Sequence, residues 1–213
     1  GKKLLEDFSK NPEFGIIGKA GSCYFPESGV YWERLNQTMV GQVYHHPEGQ
    51  KKWLSKYSPK FPFLVPVVTI DGLFISFDKT KIKHKFDETI GKFHFYDHLF
   101  CVPNYLDEVK IGVTTSFEIT HESVGQPNQE FWESREKFVE KWGSQLPLDL
   151  KPSSIYVPEI KTKEFKKFKI DKKVTSKFSI SYICNVKIIH HDRLDIILSH
   201  HFYFSRFRFR CFQ

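Results

Sequence analysis

The sequence is poor in several features, and each shortage excludes a class of protein. Its four cysteines, Cys23, Cys101, Cys184 and Cys211, are widely spaced and form no Cys-x-x-Cys pair. This spacing does not fit the dense disulfide framework of a small secreted domain. We therefore expect four reduced and mostly buried thiols. The sequence also contains no run of about 18 uninterrupted apolar residues, so it predicts no transmembrane helix.

The composition is also unlike that of a disordered protein. The 213 residues are 40% hydrophobic and 27% charged, and they include 22 Phe, 9 Tyr and 4 Trp. Disordered chains combine few apolar residues with a high net charge. We predict a single folded domain over residues 1–213. Because no signal peptide is visible, we expect an intracellular protein, nuclear or cytoplasmic, with no membrane partner.

The positive charge is unevenly distributed along the chain. The formal net charge is +7, but residues 151–213 alone hold 14 basic and 5 acidic side chains, a net charge of +9. Residues 1–150 are therefore slightly acidic. A one-sided excess of this kind is typical of a surface that binds an anionic partner. The sequence therefore predicts a nucleic acid or an acidic protein surface as the partner.

Local patterns predict the elements of the first half of the chain. Residues 1–60 look irregular except for a short helix over residues 3–9. Asp71-Gly72 separates two apolar runs, 67–70 and 73–77, and this dipeptide favours the type I′ turn of a β-hairpin. Alternation of apolar and polar residues over 109–120 predicts another strand.

The clearest helix begins after Asn128 and ends at Gly143. Asparagine is a preferred N-cap and glycine a preferred helix terminator, and Phe131, Phe138 and Trp142 recur on one face between them.

Alternation over 176–191 and 194–204 predicts further strands at the C-terminal end. Five to eight strands and one to three helices in total predict a β-rich α+β fold. Its antiparallel sheets would be arranged like a sandwich, with the helices packed against them.

A basic and aromatic region near the C-terminus carries the leading functional hypothesis. Three arginines alternate along one strand, about 6.7 Å apart at the rise of two residues, close to the phosphate spacing of an extended nucleic acid strand. Phenylalanines between the basic residues could stack on bases. We therefore predict a nucleic-acid-binding module that needs no cofactor. Its contact residues would be Lys161, Lys163, Lys166, Lys167, Lys169, Lys172, Lys173, Lys177, Arg206, Arg208 and Arg210.

A first alternative is a Mg²⁺-dependent nuclease. Asp149 followed by Glu159-Ile160-Lys161 resembles the Asp…Glu-x-Lys pattern of the restriction-endonuclease-like superfamily. The resemblance implies that the two carboxylates hold Mg²⁺ and that Lys161 orients the attacking water. Asp97 followed by Glu108-Val109-Lys110 is a second match to the same short pattern.

Histidine and cysteine spacing suggests a zinc site. His94, His98 and Cys101 would share one face if residues 92–101 were helical, and all three side chains are zinc ligands in other proteins. The set would lack a fourth ligand.

A second alternative is a non-catalytic protein-interaction or assembly domain. In that case the basic C-terminal region would bind an acidic partner protein and the aromatic residues would form the core. The sequence leaves the oligomeric state open.

Overall fold

The computed structural model describes residues 1–90, 93–123 and 125–150, and the backbone of three strands at 178–183, 186–191 and 194–199. These ranges form several sheets with helices packed against them, which confirms the predicted strand-rich α+β fold. No helix in this part of the chain is both long enough and apolar enough to cross a membrane.

The described elements alternate irregularly along the chain. The helices are α1 (Lys2–Lys10), α2 (Leu35–Thr38), α3 (Tyr96–Leu106) and α4 (Gln129–Trp142). The strands are β1 (Phe14–Gly18), β2 (Ala20–Ser22), β3 (Tyr24–Phe25), β4 (Met39–His45), β5 (Trp53–Lys56), β6 (Val65–Val67), β7 (Thr69–Ile70), β8 (Phe74–Asp78), β9 (Lys110–Val113), β10 (Thr120–His121), β11 (Leu148–Asp149), β12 (Phe178–Ile183), β13 (Val186–His191) and β14 (Leu194–Ser199).

The largest sheet has seven strands in the order β12-β13-β14-β8-β1-β9-β6. Strand β1 pairs antiparallel with β8 on one side and parallel with β9 on the other. All five residues of β1 are buried, which explains why its sequence, Phe-Gly-Ile-Ile-Gly, has no polar side chain.

A second sheet holds five strands. Its path is β10-β4-β2-β7, and β5 also pairs with β4. A separate two-stranded sheet joins β11 to β3. Helix α3 packs against β7 and β9 and buries eight consecutive residues, which places it inside the molecule and not on its surface.

The predicted hairpin around Asp71-Gly72 is wrong. A turn does form there, but β7 pairs with β2 whereas β8 pairs with β1 and β14, so the two flanking strands enter different sheets. The turn residues favoured a hairpin locally, and long-range pairing decided otherwise.

Two other segments differ from the sequence-based expectation. Residues 1–60 are more regular than predicted, because they contribute α1, α2 and five strands. The long predicted strand over 176–191 is instead two antiparallel strands, β12 and β13, and β14 pairs with β13 as expected. The predicted helix after Asn128 is confirmed, with Asn128 Oδ1 accepting a hydrogen bond from the Phe131 N–H at 2.9 Å.

A buried lysine fixes the loop between β9 and β10. Lys19 is 1% exposed, and its ammonium group donates hydrogen bonds to the carbonyl oxygens of Thr114, at 2.7 Å, and Phe117. It also lies 4.6 Å from the centre of the Phe117 ring. Burial lowers the pKa of Lys19 to about 8. Asp7 accepts hydrogen bonds from the hydroxyls of Thr114 and Ser116. The loop is therefore bound through its carbonyl groups by Lys19 and through its hydroxyl groups by Asp7.

Candidate active site

A cavity of about 370 Å³ opens where several elements end together. The turn after β7 and the first turn of α3 contribute two carboxylates, Asp71 and Asp97. The ends of β4 and β10 contribute His45 and His121, and the first turn of α4 contributes Phe131. The volume is in the range of small-molecule sites, roughly 300–1,000 Å³.

Asp97 lies at the N-terminal end of α3 with both carboxylate oxygens held by backbone groups. Its Oδ2 accepts a hydrogen bond from the Gly72 N–H at 2.8 Å, and its Oδ1 accepts one from the His98 N–H at 2.9 Å. The side chain is 13% exposed. Burial, and after it the negative charge of Asp71, raises the pKa of Asp97 to about 7.

Asp71 is held by the Tyr31 side chain and by a backbone N–H of its own turn. Its Oδ2 accepts a hydrogen bond from the Tyr31 hydroxyl at 2.6 Å, and its Oδ1 accepts one from the Leu73 N–H at 2.9 Å. Burial and the charges of Asp71 and Asp97 raise the pKa of Tyr31 well above its usual value. Tyr31 therefore keeps its proton and acts as a hydrogen-bond donor to Asp71.

Tyr96, the first residue of α3, holds the Asp71-Gly72 turn through a second hydrogen bond. Its hydroxyl donates a hydrogen bond to the Gly72 carbonyl oxygen at 2.7 Å. Gly72 therefore binds the first turn of α3 through both its N–H and its carbonyl. A side chain at this position would strike the Tyr96 hydroxyl and come within 3.1 Å of Asp97 Oδ2, so only glycine fits.

His98 is a neutral, structural histidine. Its Nδ1 lies 2.9 Å from the Thr69 hydroxyl, and its ring packs edge-on against Phe25 and Tyr31 at centroid distances of 4.9 and 4.8 Å. Burial lowers the pKa of His98 to about 3. Because the ring carries no charge at neutral pH, its 3.8 Å approach to Asp97 is not an ion pair.

Two more histidines meet where β4 and β10 pair in parallel. The rings of His45 and His121 lie 5.8 Å apart, and the His45 ring stacks on Trp53 at 5.3 Å. Ser123 Oγ lies 3.1 Å from His121 Nε2. Within the described residues His45 Nδ1 is buried and has no hydrogen-bond partner.

Aromatic rings form one wall of the cavity. Phe131 packs against Trp32 at 5.3 Å, against Phe95 at 5.1 Å and against His94 at 5.5 Å. The site thus combines two carboxylates with an extended aromatic surface.

The structure does not bring the predicted zinc ligands together. Helix α3 begins at Tyr96, so His94 precedes it and does not share a helical face with His98 and Cys101. The Cys101 thiol is fully buried, and burial raises its pKa to about 12, which keeps the proton on sulfur. Across the described ranges, no group of three or more His, Cys, Asp or Glu residues is placed to hold a metal ion.

The remaining predicted residues lie elsewhere. Asp149 is an exposed residue of β11 paired with Tyr24, and it does not line the cavity that holds the two carboxylates. Glu159 and the whole basic set, Lys161, Lys163, Lys166, Lys167, Lys169, Lys172, Lys173, Lys177, Arg206, Arg208 and Arg210, fall outside the described residues. Of the second nuclease-like match, Asp97 alone lines the cavity.

Comparison with known proteins identifies the family. Residues 1–142 match the glycosyltransferase-like family, which is 142 of the 213 residues. The chain therefore belongs to the glycosyltransferase-like family. No curated protein and no solved structure matches the chain. Asp71, Asp97, His121 and Phe131 all lie within the matched range.

Membership in this family corrects the functional predictions. Nucleic-acid binding, the leading hypothesis, and the nuclease alternative are both wrong, because the matched family is one of sugar transfer. The prediction rested on the charge of a segment. A positively charged segment attracts any anion at long range, so its charge does not identify the chemistry of a site.

Sequence reasoning missed the carboxylate pair for an identifiable reason. Asp71-Gly72 was interpreted as turn chemistry, and Asp97 was grouped with Glu108 and Lys110 by spacing alone. A usable signal was present in the composition around Asp97, where an acidic residue stands inside the apolar and aromatic stretch 93–102. A charge in such a stretch is unusual unless it has a function.

Proposed function

We propose that this protein transfers a glycosyl group from an activated donor to a hydroxyl group of an acceptor, with Asp97 as the general base. The observation that carries the proposal is the state of Asp97. It is a carboxylate inside a cavity of a glycosyltransferase-like chain, and its pKa is raised to about 7. A base with a pKa near the working pH is the most effective at removing a proton.

The chemistry that this assignment requires is a single displacement. The acceptor oxygen forms a bond to the anomeric carbon of the donor sugar as the bond from that carbon to the leaving group breaks. The hydroxyl proton passes to the Asp97 carboxylate as the oxygen attacks. Each oxygen of Asp97 already accepts one backbone N–H, and a carboxylate oxygen can accept a second hydrogen bond. The acceptor hydroxyl can therefore bind before it reacts.

Asp71 supports the reaction in two ways. Its negative charge helps to raise the pKa of Asp97, so that Asp97 holds an abstracted proton more firmly. Its own oxygens, fixed by Tyr31 and Leu73, remain able to accept hydrogen bonds from sugar hydroxyls. Tyr31 is a positioning residue in this scheme, because it acts through Asp71.

The test is a transfer assay with the Asp97→Asn variant. Purified protein is incubated with a panel of labelled nucleotide sugars and saccharide acceptors, with and without added Mg²⁺ or Mn²⁺, and labelled product is separated and counted. We expect the variant to lose a factor of about 10² to 10⁴ in kcat, the usual contribution of a general base. Asparagine keeps the shape of aspartate but cannot accept the proton.

A matched control uses a carboxylate outside the cavity. Asp107 is about half exposed and bonds the exposed His84 ring, so Asp107→Asn should keep wild-type kcat. Circular dichroism and thermal melting confirm that both variants are folded. Transfer by Asp97→Asn within threefold of wild type, or no transfer by wild type with any donor of the panel, would overturn the proposal.

A further inference from the structure

Three of the most exposed large apolar side chains in the described part of the chain either line the cavity or pack on one of its lining residues. Trp132 is 48% exposed, and Phe93 and Trp53 are each 37% exposed. Phe93 lines the cavity itself, Trp132 packs on the lining residue Phe131, and Trp53 stacks on His45. Exposed aromatic rings next to a cavity extend the apolar surface that is available to a ligand.

Trp132 begins a continuous series of rings that leads from solvent to the carboxylates. It meets Phe131 edge-to-face at 5.1 Å, Phe131 meets Trp32 at 5.3 Å, and Trp32 meets Tyr31 at 5.1 Å. The Tyr31 hydroxyl then bonds Asp71. The exposed Trp132 ring is therefore linked to the acidic groups through packed rings, of which Phe131 and Tyr31 are buried.

This combination of surfaces fits a sugar better than it fits a lipid. A pyranose ring has an apolar face of C–H groups, which packs on the electron-rich face of an aromatic ring, and polar edges that need hydrogen-bond acceptors. A purely apolar ligand would instead leave Asp71 and Asp97 desolvated without partners, which is costly.

The size of the cavity limits how much of a saccharide it can enclose. A volume of about 370 Å³ is near the lower end for ligand pockets, roughly 300–1,000 Å³. A longer saccharide would have to continue outside the cavity, and Trp132 is an exposed ring that packs on the lining residue Phe131. Because the terminal acceptor ring would lie against Asp97, a negative charge on that ring would be repelled there.

We infer that the acceptor is an oligosaccharide of uncharged sugars, whose terminal ring lies at Asp97 and whose following ring stacks on Trp132. This inference rests on the proposed transferase function. It adds a substrate class and a specificity-determining residue that lies outside the catalytic pair.

The test compares acceptors of different length in the Trp132→Ala variant. KM is measured for a monosaccharide and for the trisaccharide of the same neutral sugar, chosen from the acceptors that the wild-type protein uses. We expect the ratio of the trisaccharide KM to the monosaccharide KM to rise roughly three- to tenfold, as loss of one aromatic packing contact predicts. Trp132→Phe, which keeps a ring, should restore most of the wild-type ratio.

Leu54→Ala serves as the control for loss of exposed apolar surface. Leu54 is 38% exposed but carries no aromatic ring on which a sugar could stack, so this variant should keep the wild-type ratio. An unchanged ratio in Trp132→Ala, or an equal change in Leu54→Ala, would overturn the inference.

A binding measurement separates this inference from the proposed function. The wild-type protein, without a sugar donor, is applied to an array of neutral and acidic oligosaccharides of one to six rings. We expect retention of neutral chains of two or more rings, and loss of that retention in Trp132→Ala. Retention of acidic chains only, or of no saccharide, overturns the inference. If neutral chains bind but wild-type protein transfers no sugar, the proposed function fails and the assignment of Trp132 stands.

Discussion

Asp97 accepts a hydrogen bond from the backbone N–H of Gly72, at 2.8 Å, across 25 residues of chain. The Tyr96 hydroxyl returns a bond to the carbonyl of the same glycine. The start of α3 and the turn after β7 are therefore one rigid unit, and this unit fixes the distance between the two carboxylates of the cavity.

Gly72→Ala should disturb this unit with little effect elsewhere. The added methyl group would strike the Tyr96 hydroxyl and crowd Asp97, so we expect kcat to fall at least tenfold while the protein remains folded. Gly125→Ala is the control, because no atom lies within 4 Å of its added carbon although Gly125 also lines the cavity. Equal activity of the two variants would show that the Gly72 contacts do not position the base.

The pH dependence of transfer should report the ionisation of Asp97. A general base works only when it is deprotonated, and the pKa of Asp97 is raised to about 7. We expect kcat/KM to rise as the pH increases through about 7 and to level off above it. A rate that stays constant between pH 5 and pH 9 would exclude Asp97 as the base.

Asp71→Asn should move that profile toward acid. The negative charge of Asp71 helps to raise the pKa of Asp97, so its removal lowers the pKa of Asp97 and shifts the midpoint of kcat/KM to lower pH. Asparagine retains an oxygen for the Tyr31 hydroxyl. A lower plateau with an unchanged midpoint would mean that Asp71 only binds substrate and does not act on Asp97.

Lys19→Met tests how much the buried Lys19 ammonium group stabilises the fold. The substitution removes the donor to two carbonyl oxygens, the buried one of Thr114 and the partly buried one of Phe117. We expect the free energy of unfolding, measured by urea denaturation at pH 7, to fall by about 2 kcal/mol or more. Lys60→Met is the control, since Lys60 is an exposed partner of Glu118 and its loss should leave the unfolding curve nearly unchanged. Identical curves for both variants would contradict the assigned role of Lys19.

Asn128→Ala should weaken the start of α4. The side chain of Asn128 accepts a hydrogen bond from the Phe131 N–H, and loss of an N-cap costs about 1 kcal/mol. Asn128→Asp keeps an accepting oxygen and should retain wild-type stability. The comparison is made by urea denaturation, and a loss as large in Asn128→Asp as in Asn128→Ala would argue against the capping bond.

The sequence predicted well those elements whose signals are local. Helix α4 was predicted because Asn128 and Gly143 mark its ends and Phe131 and Phe138 mark its buried face. The hairpin at Asp71-Gly72 failed for the opposite reason. Its turn residues act locally, but the partners of β7 and β8 lie far away in the chain, on β2, β1 and β14.

The site could not be predicted because its defining property comes from packing. Asp71 and Asp97 are ordinary acids in the sequence, and burial inside the folded chain is the first cause of the raised pKa of Asp97. Net charge pointed instead to residues 151–213, where composition is most unusual. Composition measures how many charges a segment has, whereas catalysis depends on where a single charge is placed.

Strand β8 is hydrogen-bonded on both sides, to β1 within the family-matched range and to β14 beyond it. The family match therefore ends at residue 142, whereas the seven-stranded sheet also includes β12, β13 and β14 beyond that residue. Transplanting residues 1–142 alone into another protein would present the β14 side of β8 as an unpaired edge, open to association with any extended chain. Chimeras that exchange the family-matched region among relatives should therefore carry residues 178–199 with it, because β14 covers the edge of β8.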